Sequence, residues 1–500
     1  MIWLDGRALT LVELVRVSRQ AGAVALSGAG RAEMERSYAW VRATLHGDQP
    51  VYGINTGFGS LARVRIAAAD TSLLSRNLIR SHAAGVGPPC PDDIVRAMML
   101  LRANALARGA SGCRPLVVET LCAMLGKGVV PRVPRQGSCG SSGDLAPLSH
   151  LALVVFGEGG EVPFGGALMT GPEAMAAAGL ATLVPEAKDG LAMTNGAQLT
   201  TAIAALALAD ADVLVRTAER AAAMSIEALR GVSRAFHPAV HALRPHPGAI
   251  ASAAHLRALL AGSSLVDSMP EKVQDAYSLR CTPIVLGATR DVLAYGRRAV
   301  EIELNSVTDN PVMLMDEAVE NHAFSAGLFH GEPVGIAADA MKIGVAELAS
   351  LSERRLYRLT TGSLSSRLPP GLAGRDRPDL GMLVPQTTAA ALVSENKALA
   401  WPMSVDSIPT CEDQEDHVAM STTAAWRFWE VVQNSRRVVA IELLCASRAL
   451  RMRLEEAPGV RLGAGAEAAL PLVEALVAGA EVPGEAIERI ACRIAAGEFA

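Results

Sequence analysis

An almost wholly α-helical, all-α fold is predicted by three features of this 500-residue sequence. Half the residues are hydrophobic but only 4% are aromatic, so Ala, Gly and aliphatic residues carry most of the apolar content. Small helix formers with few β-branched or aromatic runs favour closely packed helices over sheets. Two long stretches then place apolar residues close to helical spacing. Ala424–Met452 carries Phe428, Val432, Val439, Leu443, Ala446 and Leu450, and Ala338–Leu359 ends just before Thr360-Thr361-Gly362. At ~1.5 Å per residue the longer one spans more than ~40 Å. Helices of that length bury little alone and point to a bundle shared between subunits.

Taken in order, residues 1–190 alternate short helical patterns with Gly-rich punctuation and form one expected domain. Residues 191–455 form an expected central bundle of long helices, and 456–500, rich in Ala, Gly and Glu, form peripheral helices. Gly190–Ala209 is free of charge but contains Thr194, Asn195, Gln198, Thr200 and Thr201. That is too polar for a membrane span and predicts a buried helix. Pro369 to Pro378 is expected as a long ordered loop.

The formal net charge is −5, and only five of the 46 cations are Lys. The scattered Arg residues make no basic patch, so nucleic acid is not an expected partner. No basic stretch leads from Met1 into an apolar core, so no secretory signal is read. Eight cysteines are dispersed without a CxxC pair, which predicts reduced, mostly buried thiols in a cytoplasmic protein. His237 and His241 have helical spacing, but Pro238 and Pro245 interrupt the segment and no HExxH accompanies them. No metal site is expected.

Two Gly-rich loops stand out. The first is Val51-Tyr52-Gly53-Ile54-Asn55-Thr56-Gly57-Phe58-Gly59, and the second is Gly137-Ser138-Cys139-Gly140-Ser141-Ser142-Gly143-Asp144. Asp144 and Pro147, ahead of an apolar stretch, signal a helix N-terminus, so the second loop sits before a positive helix end. No GK[ST] follows, so a phosphate-binding loop is not supported.

Gly140 to Leu148 resembles the signature of the histidine and aromatic amino-acid ammonia-lyases. In that family an Ala-Ser-Gly tripeptide cyclises and loses two waters to give the electrophile 4-methylideneimidazol-5-one (MIO). A glycine nitrogen can approach the carbonyl two residues back without a Cβ in the way. Here the tripeptide is Ser141-Ser142-Gly143, with Ser in place of the usual Ala. The resemblance covers about residues 5 to 450. It recurs in Tyr52–Gly59, Ser81–Gly87, Thr194-Asn195-Gly196, Gln274–Cys281, Asp309-Asn310-Pro311, Phe329-His330 and Gln414–Val418. It implies a fumarase/aspartase-like architecture, an MIO-bearing N-terminal part, and a homotetramer whose active sites draw on three subunits.

The reaction so implied removes a weakly acidic proton β to an amino group while ammonia leaves. Capturing the amine on MIO makes it a better leaving group, so no pyridoxal phosphate is needed. By resemblance Tyr52 takes the β-proton. A phenol titrates near ~10, so its surroundings would have to favour the anion. Tyr277 would support the MIO and the amine, and Arg280 would hold the substrate carboxylate bidentately. Asn195 would hydrogen-bond the MIO oxygen, while Gln274 and Phe329 line the site. Two of only five tyrosines fall in these motifs.

Substrate choice rests on His82, Met382 and Glu415, which resemble the pattern of the histidine-specific members. Imidazole offers a donor and an acceptor and suits a carboxylate and a polar ring. A phenyl ring would leave a buried Glu415 uncompensated. The sequence also departs from the family pattern. Leu328 and Ile284 stand where amides are usual, and Trp401 where the histidine enzymes have His. An aminomutase, or a tyrosine or phenylalanine lyase, therefore stays as an alternative. A non-catalytic helical assembly protein is opposed by the intact Ser141-Ser142-Gly143, Tyr52 and Arg280.

Overall fold

The computed structural model describes residues 1–20, 22–47, 49–57, 64–374 and 379–500. Phe58 and Gly59 of the tyrosine loop, and 375–378 of the Pro-rich stretch, lie outside the described residues. Helix makes up 59% of the chain, and the described strands form only two-stranded pairs. The long stretches are helices, running Glu332–Thr360 and Ser421–Glu456. Both begin earlier than the apolar spacing alone indicates.

The expected single helix over Gly190–Ala209 is instead two, Asp189–Thr194 and Gln198–Ala228. The break has a polar cause. Asn195 is extended and Gly196 has φ +156°, and the chain there is held by Thr308 Oγ1, which accepts from Ala197 N at 3.3 Å. The Gln198–Ala228 helix is, among the described residues, the one long and apolar enough to cross a membrane. However, 78% of its most apolar window is buried within the chain, the pattern of a core helix. Most of its alanines are fully buried and leave room for close helix contacts.

The chain divides into two compact units. The first comprises residues 1–206, 297–338 and 402–426. Its centre is the helix Asp92–Ala107, buried along nearly its whole length and packed against Leu11–Gln20 and Pro115–Lys127. Beside it, three shorter helices each pack on the other two: Thr71–His82, Leu145–Val155 and Asp189–Thr194. This trio positions the site, because an end of each delivers a residue to it.

The second unit comprises residues 207–296, 339–401 and 427–500. Here Pro247–Leu260 packs on Ala464–Val477, which packs on Pro483–Ala495. Close approach between Pro247–Leu260 and Thr282–Glu303 requires Gly287, where a Cβ would lie 2.4 Å from the Ala249 backbone. A fully buried Glu442 accepts from Arg355 Nη2 at 2.7 Å, Ser225 Oγ at 2.7 Å and Ser352 Oγ at 2.6 Å. Such a charge is tolerated only because each oxygen is paired.

All eight cysteines are free thiols. Cys90, Cys113, Cys122 and Cys445 are buried, while Cys411 and Cys492 are exposed, so burial is less general than expected.

Candidate active site

Seven of the residues singled out in the sequence converge on one cavity of about 670 Å³ in the first unit. Tyr52, His82, Ser141 and Ser142 line it, as do Asn195, Phe329 and Glu415. Each is placed by a local feature of the chain.

Tyr52 sits on a loop anchored on both sides. Val51 and Ile54 are buried with Val41, Ala187 and Met313. Asn55 has no exposed surface and is the polar hub: its Oδ1 accepts from Val51 N at 2.7 Å, and its Nδ2 donates to Gln49 O at 2.9 Å. With the neighbours fixed in this way, the loop presents Tyr52 to the cavity.

The Gly/Ser loop is held from below by Asp144. This residue occupies the helix N-cap position as the sequence predicts, but its side chain makes no capping bond. The fully buried carboxylate instead accepts from Ser138 Oγ at 2.7 Å, Thr200 N at 2.8 Å, Thr200 Oγ1 at 2.9 Å and Thr422 Oγ1 at 3.0 Å. Burial pushes its pKa up, and these four donors pull against that shift. The donors to this carboxylate are thus tertiary, and they satisfy a charge that burial would otherwise leave uncompensated.

Gly143 lies directly against Gly196. The two form a parallel bridge, Asp144 N donates to Gly196 O at 2.7 Å, and Gly143 has φ +75°. A Cβ on Gly143 would lie 2.4 Å from the Gly196 carbonyl carbon, so no other residue fits. The helix break at Asn195-Gly196 is fixed in turn by Arg102, whose Nη1 donates to Gln198 Oε1 at 2.9 Å and whose Nη2 reaches Ala192 O. Asn195 Nδ2 then donates to Ser142 O at 2.9 Å, while its buried Oδ1 has no partner among the described residues.

Glu415 faces the tripeptide. Its Oε2 accepts from Ser141 Oγ at 2.7 Å and Thr410 Oγ1 at 2.6 Å, and its Oε1 takes the Ser142 hydroxyl. Burial raises its pKa, but the hydrogen bonds from Ser141, Ser142 and Thr410 outweigh that and hold it below the usual glutamate value. His82 ends the helix Thr71–His82, with Nδ1 2.9 Å from Ser81 Oγ. Burial lowers its pKa, against weaker upward pulls from the Leu78 carbonyl and Glu415.

Phe329 is placed through the Asp309-Asn310-Pro311 segment. The buried pair of Lys188 Nζ and Asp309 Oδ2, 2.7 Å apart, anchors it, and Asn310 Oδ1 accepts from Ala326 N at 2.8 Å. Leu328, one of the departures, is 48% exposed and is not among the residues lining the cavity.

Five predicted residues are not among those lining this cavity: Gly143, which lies against Gly196 in the first unit, and four others. Gln274, Tyr277, Arg280 and Met382 belong to the second unit. There the Arg280 guanidinium lies over the Tyr277 ring at 4.8 Å, Tyr277 is 71% exposed, and Arg280 Nε is buried with no partner among the described residues. Ile284 follows on the same side of the sequence motif, and the Trp401 carbonyl accepts from Lys342 Nζ at 2.8 Å with its ring exposed.

His330, Glu332 and His417 bring ligating atoms within 4.8 Å of one another beside the cavity. One imidazole nitrogen of this group is engaged, since His330 Nε2 lies 3.2 Å from the His417 carbonyl oxygen. His237 and His241, weighed in the sequence, are bound within the second unit, and so is His255. His237 accepts from Ala239 N at 3.2 Å, His241 meets Ala235 O at 3.1 Å, and His255 meets Glu219 at 2.6 Å.

Sequence reasoning missed Arg102, Thr200, Thr410 and Thr422. Only Arg102 leaves a signal, as a lone charge inside the apolar run Met98–Ala107, where a buried guanidinium must find acceptors.

The family model "Aromatic amino acid lyase" matches residues 9–475. A histidine ammonia-lyase of Treponema denticola is 47% identical over 453 residues, covering 90% of this chain and 88% of that relative. Among solved structures, histidine ammonia-lyase from Trypanosoma cruzi superposes with a TM-score of 0.91 at 36% identity, covering 100% of this chain and 94% of that one. Tyrosine aminomutase from Streptomyces globisporus gives 0.92 at 33% identity, covering 100% and 97%.

Proposed function

The chain belongs to the aromatic amino acid lyase family, and from that membership we propose that it eliminates ammonia from L-histidine to give urocanate. The observation that carries this substrate is Glu415, an ionised carboxylate set beside the reactive tripeptide and sharing the cavity with His82. An imidazole N–H satisfies such a carboxylate, whereas a phenyl ring would desolvate it for nothing.

Ser141-Ser142-Gly143 fits the formation of MIO. The Gly143 position excludes a Cβ, and Asn195 Nδ2 holds the Ser142 carbonyl oxygen that the ring would keep. Ring closure joins Gly143 N to the Ser141 carbonyl carbon. One water carries away that carbonyl oxygen with the Gly143 and Ser142 amide hydrogens. The other carries away the Ser142 hydroxyl with its α-hydrogen. What MIO supplies is an electrophile that makes the substrate amine a better leaving group.

The remaining work falls to side chains. Tyr52 Oη accepts the β-proton as the Cα–N bond breaks and the Cα=Cβ bond forms. Glu415 and His82 orient the imidazole, and Phe329 lines the ring's path. Arg280 pairs bidentately with the substrate carboxylate, Tyr277 supports the MIO and the amine, Gln274 lines the site, and Met382 joins His82 and Glu415 in substrate choice. We place Arg280, Tyr277, Gln274 and Met382 in the site through assembly of a homotetramer, each coming from a neighbouring subunit. The exposed Tyr277 and an Arg280 Nε unpartnered among the described residues support that arrangement. The free thiols support a reducing, cytoplasmic setting.

Replacing Glu415 with Gln tests the substrate. The variant keeps the side chain's shape but loses a charge-assisted hydrogen bond. It is expected to lower kcat/KM for L-histidine roughly 10- to 100-fold. Intact mass should show the two-water loss unchanged. Equal turnover of L-histidine by both proteins would reject imidazole recognition by Glu415.

A further inference from the structure

We infer that Ser141 is a positioning residue for the specificity carboxylate: its hydroxyl survives maturation and holds Glu415 Oε2, leaving Oε1 to the substrate imidazole. The inference rests on the histidine-lyase reading and extends it to a residue that reading uses only for its carbonyl.

The chemistry separates the two serines. Ring closure takes the carbonyl oxygen of Ser141 and leaves its side chain intact, but it takes the hydroxyl of Ser142. Before closure, Glu415 is held at both oxygens, by Ser141 and Thr410 on Oε2 and by Ser142 on Oε1. After closure the Ser142 donor no longer exists, while Ser141 and Thr410 keep theirs. Maturation therefore does two things at once. It builds the electrophile, and it frees one carboxylate oxygen for an imidazole N–H. An alanine at position 141 would leave Thr410 as the single hydroxyl on Oε2, and the carboxylate would be free to turn.

Other titratable groups also face this carboxylate. The Glu415 charge pulls the pKa of His82 and of Cys139 upward, and the Cys411 thiol hydrogen-bonds the carboxylate. Tyr52, His330, Asp416 and His417 line the same cavity. The hydroxyls of Ser141 and Thr410 are donors to Oε2.

The test compares Ser141→Ala and Ser141→Thr with the parent protein. Intact mass reports ring closure independently of turnover. Both variants and the parent are expected to show the loss of two waters. For Ser141→Ala, KM for L-histidine should rise roughly tenfold, with a smaller change in kcat, for loss of one hydrogen bond to a charged group. The sign of the pH effect also follows. Activity needs ionised Glu415 and fails as pH falls through its pKa. Removing a donor to the carboxylate raises that pKa, so the acid limb of kcat/KM moves to higher pH. Ser141→Thr keeps the hydroxyl and should restore both the KM and the acid limb.

An unmoved acid limb and KM in a ring-closed Ser141→Ala would overturn the inference. Failure of Ser141→Ala to close the ring would also overturn it, by assigning the hydroxyl to maturation instead. A parent protein with no two-water loss would instead sink the MIO reading on which the inference stands.

Discussion

Changing Ser142 to Ala is expected to reduce turnover by at least about 10³-fold, the scale seen when a group essential in the transition state is removed. Without the Ser142 hydroxyl no exocyclic methylidene can form, whatever else in the site stays in place. Stability should change little. Asp144, Asn195 and Arg102 hold the loop through the backbone and through neighbouring side chains, not through Ser142 Oγ. The one bond lost is that to Glu415, which keeps Ser141 and Thr410. Intact mass of the variant should lack the two-water loss found in the parent. Turnover that persists in Ser142→Ala would remove the MIO assignment.

Changing Tyr52 to Phe is expected to lower kcat by about 10²–10⁴-fold, the usual contribution of a positioned general base. Val51, Ile54 and Asn55 anchor the loop, so folding and ring closure should be retained. This variant also tests the assembly. Co-expressed with an inactive Arg280→Met chain, it should regain measurable activity, because some sites in a mixed tetramer combine an intact Tyr52 with another subunit's intact Arg280. No recovery from mixed assemblies would contradict sites built from several subunits.

The elements that could be read from the sequence were those with local causes. Apolar spacing announced the Glu332–Thr360 and Ser421–Glu456 helices, because burial on one face repeats along a single segment. The Gly/Ser loop announced itself because the chemistry restricts side-chain size over consecutive positions. The break between Asp189–Thr194 and Gln198–Ala228 was hidden, since its causes lie at Arg102 and Thr308, far along the chain. Asp144 shows the same limit. Its place before a helix was legible, but the choice of Thr200 and Thr422 over its own helix depends on tertiary packing. The bond from Ser141 to Glu415 joins positions 274 residues apart and leaves no periodic trace. Motif order likewise lists Tyr52 and Arg280 together, although they belong to different units of the chain.

The most direct measurement is incubation of the purified protein with L-histidine, followed by ultraviolet absorbance and released ammonia. The proposed function predicts urocanate and ammonia in equal amounts, with Leu328, Ile284 and Trp401 then compatible with histidine as substrate. No conjugated product from L-histidine, or a β-amino acid isomer without net ammonia release, would contradict it.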